Sequence, residues 1–293
     1  MAKSELTGLE LPGISEEQLF LGDAAYLNRG IGIPVGFVVK VSGACLQEDE
    51  NYSLEKTASN LVTLQQMAQA YKTRILVITG AGKEIDQALK QAGLPNTKVG
   101  GIRHTTNENY QVIADVMQGK ANDLAALVQC YGGKATPVQG LFLAEDMGEA
   151  YGGKTGNATG INIKALQNAG LEAMAIACSL GVGKNGSGYN INADDAAAIA
   201  AVMLKPKVYL NVTQTGGVLK DMNDRLSMIP KLTLEEAAKL SSDGMTVKIM
   251  SMANILGALP ELSIVITSPD NMLHSLFAEG YGTMISVPKK ACD

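Results

Sequence analysis

The chain has 293 residues, with 24 basic and 29 acidic side chains giving a formal charge of −5, a balance that speaks against nucleic acid as the main partner. Charged residues make up 18% and hydrophobic residues 46%, which excludes a disordered chain and supplies apolar surface for one large α/β domain or two lobes. Four scattered cysteines (Cys45, Cys130, Cys178, Cys292), no secretory pattern at the start and no apolar run of the roughly 18 residues that span a bilayer lead to the expectation of a cytoplasmic protein with reduced thiols and no membrane partner.

In chain order, residues 1–34 read as an extension in which SEEQLFLGDAAYLNRG forms a helix before Gly30, Gly32 and Pro34. Phe37 to Val41 is a short buried strand with a turn at Ser42-Gly43, and a helix follows over about 53–71. Arg74 to Thr79 is a second strand, closed by Gly80-Ala81-Gly82 and continued by a helix with Ile85, Ala88 and Leu89 on one face. Two helical stretches, 107–118 and 120–131, lead to a β-rich section around KATPVQGLFLAE and TGINI where hairpins are expected. Alternation then resumes: strand EAMAIAC, helix ADDAAAIAAVML, strand KVYLNV, helices TLEEAAKL and GMTVKIMSMANILGAL, strand LSIVIT, helix NMLHSLF and strand YGTMIS. Strands alternating with helices predict an open, mainly parallel sheet sandwiched between helices, an αβα architecture. We divide it as an extension (1–34), an N-terminal lobe (35–186) and a C-terminal lobe (187–293).

Four patterns bear on chemistry. Gly148 to Thr155 satisfies GxxxxGK[ST], but Gly156 and Gly160 follow where a phosphate-binding loop needs a helix, so a turn is the preferred reading. Ser42-Gly43 and Gly80-Ala81-Gly82 each close a parallel strand, where ligands bind in open α/β sheets, and Lys40 interrupts an apolar strand beside the first turn. A lysine in a buried strand wants an anion. Asn190, Asn192, Asp194 and Asp195 crowd a helix start that needs a single cap, and the surplus points to ligand contact. Lys248 lies near the start of a Met-rich helix, where the dipole disfavours a cation unless an anion is near. His104 and His274 stand outside any metal-binding array, so no protein-built metal site is expected.

In this order the motifs resemble the amino acid kinase family over roughly 35–286, and most of all its members that phosphorylate N-acetylglutamate. VVKVSGACL is similar to the family's Lys-x-Gly-Gly turn, LVITGAGKEIDQALKQAGLP to its second glycine loop, GGIRHTTNENYQVIADVMQGKAN to its substrate-arginine segment, and YNINADDAA and DGMTVK to its Asn-x-Asn-Ala-Asp and Gly-Met-x-x-Lys motifs. The resemblance implies transfer of the ATP γ-phosphoryl group to the side-chain carboxylate of N-acetyl-L-glutamate, as in arginine biosynthesis, with Mg²⁺ arriving on ATP. It implies Lys40 and Lys248 as catalytic cations organised by Asp194. Arg103, Asn190, Gly80 and Ala81 would bind the substrate; Ser42, Gly43, Gly82, Thr213, Gln214 and Gly217 would bind phosphate and nucleotide, with backbone amides of Ser42, Gly43, Ala81 and Gly82 meeting the oxygens. The N-terminal lobe would bind the acyl amino acid and dimerise, and the C-terminal lobe would bind nucleotide. A homodimer or hexamer (trimer of dimers) is implied, with arginine feedback resting on GDAAYLNRGIGIPVGFVVK and FAEGYGTMIS. Ser42, Ala81 and Gln214 depart from the pattern, which leaves open another N-acylated acceptor or a non-catalytic nucleotide-binding or storage protein on the same fold.

Overall fold

Runs of Val, Ile and Leu between glycine or polar turns form the strands, as parallel strands buried on both faces require. The computed structural model describes residues 32–47, 54–221, 223–240 and 243–287, so the helix expected within 1–34 lies outside the described residues. The elements are β1 (Val35–Val41), α1 (Leu54–Ala70), β2 (Arg74–Thr79), α2 (Gly82–Gln91), β3 (Lys98–Val99), β4 (Ile102–Arg103), α3 (Asn107–Cys130), β5 (Ala135–Val138), β6 (Phe142–Asp146), β7 (Thr155–Ile161), α4 (Ile163–Asn168), β8 (Met174–Cys178), β9 (Leu180–Val182), β10 (Gly188–Ile191), α5 (Ala193–Leu204), β11 (Val208–Val212), β12 (Lys231–Thr233), α6 (Leu234–Leu240), α7 (Asp243–Ala258), β13 (Ser263–Thr267) and β14 (Thr283–Ser286).

Eight strands make one sheet in the order β12-β14-β13-β11-β1-β2-β8-β5. Every neighbouring pair is parallel except β13–β14. Strands from both halves of the chain meet at β1–β11, where Lys40 lies opposite Asn211. One face of the sheet buries Leu76, Ile78, Tyr209 and Ile266 against α5 and α7; the other buries Val39, Val77, Ile176 and Leu210 against α1, α2 and α3. Helices therefore cover both faces, as the alternation requires.

Local differences from the sequence reading have physical causes. The two stretches at 107–118 and 120–131 are one helix, α3. Its buried stripe of Ile113, Met117, Ala121, Leu124 and Val128 runs past Gly119, and that tertiary burial outweighs the roughly 1 kcal/mol a mid-helix glycine costs. NMLHSLF forms only a 3₁₀ turn over His274–Leu276, too short to offset the cost of helix nucleation. The expected β6–β7 hairpin is present, but β6, β7, β9 and β10 also close into a small barrel. TGINI is divided between the end of β7 and the start of α4, which Asn162 caps by accepting from Ala165 N–H.

Candidate active site

The carboxyl ends of β1 and β2 present two turns that touch backbone to backbone. A Cβ on Gly43 would come within 2.9 Å of both Ala81 Cα and Gly80 O, so only glycine lets the turns meet. The 3₁₀ helix Gly43–Leu46 and α2 both begin here, and neither has a side-chain cap. The leading amides of each, at Gly43 and Gly82, have no intrahelical acceptor, and both residues line one cavity; Cys45 N–H already donates to Ser42 O at 2.9 Å. One of the expected amides, that of Ser42, is committed elsewhere, and so is the amide of Gly80. Ser42 N–H donates to Val212 O at 2.9 Å and Gly80 N–H to Val41 O at 2.8 Å, each continuing the sheet by one rung. The expectation that the Ser42 amide meets a phosphate oxygen is thereby corrected.

On the face covered by α5 and α7, Lys40 and Lys248 converge on one carboxylate. Lys40 Nζ lies 3.0 Å from Asp194 Oδ1 and Lys248 Nζ lies 3.0 Å from Asp194 Oδ2. Their positions follow from local structure. Asn192 caps α5 by accepting from Asp194 N–H at 2.8 Å, which frees the Asp194 side chain to point along the end of the sheet. Ser251 Oγ donates to Asp195 Oδ1 at 2.8 Å and clamps α7 on α5 one turn beyond Lys248. Asn190 belongs to β10 rather than to the helix start, and its amide donates to Thr105 Oγ1 at 2.9 Å. So of the polar surplus at 190–195, one residue caps and Asn190 and Asp194 reach the cavity.

Burial pulls Lys40 down and the Asp194 charge only partly restores it, leaving its pKa at about 8. Lys248 also loses solvation, but attraction to Asp194 outweighs that and raises its pKa. Burial pushes Asp194 up, and the two ammonium groups pull it down harder, to about 2. The cluster therefore holds two cations and one anion near pH 7, a net positive centre at the end of a strand.

These groups line a cavity of about 310 Å³ together with Ser42, Gly43, Gly80, Ala81, Gly82, Arg103 and Asn190. Lys83 and Lys98 also line it, so among the described residues five cationic side chains line a cavity with one lining carboxylate, Asp194, while Asp86 just outside it pairs with Arg103 and lies 3.8 Å from Lys98. That imbalance fits a polyanion. Arg103 is held by its surroundings: it donates to Asn96 Oδ1 and to Gly82 O, and pairs with Asp86 at 2.7 Å. Thr213, Gln214 and Gly217 follow β11 at the same end of the sheet but do not line this cavity. Gln214 Nε2 donates to Ala44 O at 3.1 Å, which ties the segment to the first glycine turn. Of the sequence's site residues, the structure thus brings together all but these three.

The GxxxxGK[ST] pattern is a turn leading into β7. Gly152 is left-handed at φ 90°, and a Cβ there would strike Thr105 O at 2.4 Å. Thr155 Oγ1 lies within 2.8 Å of the carbonyls of Arg103 and Tyr151 and accepts from Thr105 N–H. Lys154 points at the rings of Tyr110 and Tyr189, 5.5 and 5.7 Å from their centres. The Thr155 hydroxyl is thereby committed within the protein. Lys83, Lys98 and Asn211 went unread in the sequence. Asn211 is 1% exposed and donates to Asp194 Oδ1 at 3.4 Å; a lone amide in VYLNV was the same kind of signal as the lysine in VGFVVKV. Among the described residues, no group of three or more His, Cys, Asp or Glu side chains is arranged to hold a metal ion, and no helix is long and apolar enough to cross a membrane.

Comparison with known proteins bears on the family and the fold. The model of the amino acid kinase family matches residues 36–268. An acetylglutamate kinase of Clostridium kluyveri is 30% identical over 266 residues, which cover 85% of this chain and 91% of that protein. Among solved structures, N-acetylglutamate synthase from Neisseria gonorrhoeae, complexed with coenzyme A and N-acetyl-glutamate, aligns with a TM-score of 0.73 at 20% identity, over 94% of this chain and 64% of that one. Carbamate kinase from Giardia lamblia bound to AMP-PNP aligns with a TM-score of 0.64 at 13% identity, over 87% of this chain and 99% of that one. At those identities the two structures speak to the fold alone.

Proposed function

The chain belongs to the amino acid kinase family, and from that premise we propose that it transfers the γ-phosphoryl group of ATP to the side-chain carboxylate of N-acetyl-L-glutamate, giving an acyl phosphate and ADP. The observation that carries this reading is the pair of ammonium groups, 208 positions apart by their numbers, held by one carboxylate in a cavity rich in cations. Phosphoryl transfer asks for position and neutralisation more than for covalent chemistry, because charge spreads over the oxygens of the moving group. A carboxylate oxygen of the acceptor attacks the γ-phosphorus while the bond to the bridging oxygen of ADP breaks. No base is needed, since the acceptor is already ionised at neutral pH.

In this reading Lys40 and Lys248 neutralise the moving group and the ATP phosphates, and Asp194 fixes the distance between them. Free amides of Gly43, Ala81 and Gly82 bind oxygens. Asn190 and Arg103 orient the acceptor, Arg103 through the N–H groups its protein partners leave over. Thr213, Gln214 and Gly217 would meet the nucleotide beyond the lysine cluster. Mg²⁺ would come on ATP: both Asp194 oxygens are engaged by lysines and among the described residues no other carboxylate lines the cavity, so the residues fit an ion held by phosphate and water. Bound there, it would neutralise charge between the β- and γ-phosphates.

A homodimer or a hexamer (trimer of dimers) and arginine feedback belong to the same reading, and sizing with and without arginine checks them. Trapping the acyl phosphate with hydroxylamine across a panel of N-acyl glutamates and aminoadipates tests the reaction. The expected result is ATP-dependent hydroxamate with N-acetylglutamate. ATP binding without product from any acceptor would overturn catalysis in favour of a nucleotide-binding protein on this fold.

A further inference from the structure

Ser42 stands where a backbone amide was expected to serve the phosphoryl group, yet that amide is bonded to Val212 O. Its side chain is placed otherwise. Lys40 Nζ donates to Ser42 Oγ at 3.3 Å, and the residue is half-buried and lines the cavity beside Lys40, Gly43 and Gly82. Among the described residues no acceptor takes the proton of this hydroxyl, so it is left to point at whatever occupies the cavity.

We propose that the Ser42 hydroxyl, rather than its amide, donates a hydrogen bond to an oxygen of the migrating phosphoryl group and so makes Ser42 a catalytic residue. The proposal rests on the phosphoryl-transfer reading above and adds a donor to it. Two physical points support it. A hydroxyl whose oxygen already accepts from an ammonium group is polarised toward donation. A fixed donor beside a buried lysine is also aimed where charge develops during transfer, and needs no solvent rearrangement. The backbone of Ser42 is ordinary, at φ −62° and ψ 141°, so the side chain is held there without strain.

Ser42→Ala and Ser42→Gly, assayed for hydroxamate with ATP and N-acetylglutamate, decide the matter. If the hydroxyl is the active part, both variants lose kcat by about 100-fold, while KM for ATP stays near that of the parent protein. Calorimetry adds a second readout: Ser42→Ala should bind MgADP normally but lose affinity for MgADP with aluminium fluoride, which imitates the group in transit. Ser42→Ala matching the parent in both measurements would overturn the proposal. So would Ser42→Gly running faster than the parent, because the Cβ would then be an obstruction. A parent protein that makes no hydroxamate with any acceptor would instead defeat the underlying reaction and this donor with it.

Discussion

On one face of β1 and β11, Phe37, Val39, Val41, Leu210 and Val212 are buried in the core shared with α1, α2 and α3; on the other, the same strands end in Lys40 and Asn211 beneath α5 and α7. The first face holds the sheet together by burying apolar surface. The second gives up apolar contact at its carboxyl end, and each charge brought there has to be answered by another group. Substitutions on the two faces should therefore separate what the fold needs from what the reaction needs.

The sharpest break lies at Asp194. Replacing it with Asn leaves the buried Lys40 ammonium and the half-buried Lys248 ammonium without their anion, which should cost about 3 kcal/mol of stability and abolish hydroxamate formation; urea unfolding and the trapping assay read the two losses. Lys248→Ala comes next. The Lys40–Asp194 contact, 3.0 Å in the parent chain, uses the other carboxylate oxygen, so the fold should hold while the rate falls on the order of 1,000-fold. Equal loss of stability in both variants would show that Lys248 serves packing rather than transfer. On the apolar face, Val39→Ala should remove about 2 kcal/mol of stability and leave kcat unchanged. A change in kcat there would mean that the sheet transmits strain from one face to the other.

How much of this contrast the sequence displays follows from the range of the interactions involved. Lys40 stands out because a charge inside VGFVVKV has no local reason to be there, and Asp194 because a helix start needs only one cap, which proves to be Asn192. The barrel was hidden, since β9 has three residues and β10 four, a hairpin too short to stand alone, and its closure depends on pairing with β6 and β7 much earlier in the chain. The continuity of α3 was hidden for a related reason: Gly119 reads locally as a break, while the stripe that carries the helix across it is stabilised by the sheet. The fate of the Ser42 amide could not be read at all, because it depends on the register between β1 and β11.

The finest contrast between the faces is in their response to pH, which only the charged one should show. Lys40 titrates at about 8 in the folded chain against an ordinary 10.5, so between those values the unfolded chain holds a proton that the folded one has released. Its contribution makes stability rise with pH across that window. Asp194 acts at the other end: at about 2 against an ordinary 3.8, it contributes stability that is present above pH ~4 and is lost as pH falls through the folded value, on the order of 2 kcal/mol. Activity should move the opposite way to stability on the alkaline side, because transfer needs the Lys40 ammonium. With kinetics followed by ADP release, kcat/KM should fall as pH climbs through about 8, since it reports the free enzyme. The fall in kcat should come at higher pH, because bound phosphates add negative charge beside Lys40, Lys248 and Ser42 and hold the proton on. Lys40→Met should erase the alkaline rise in stability, and an unchanged rise in that variant would assign it to another group. If kcat and kcat/KM fall at the same pH, no anion reaches Lys40 in the bound state, and the cavity at the end of β1 is not where the phosphoryl group passes.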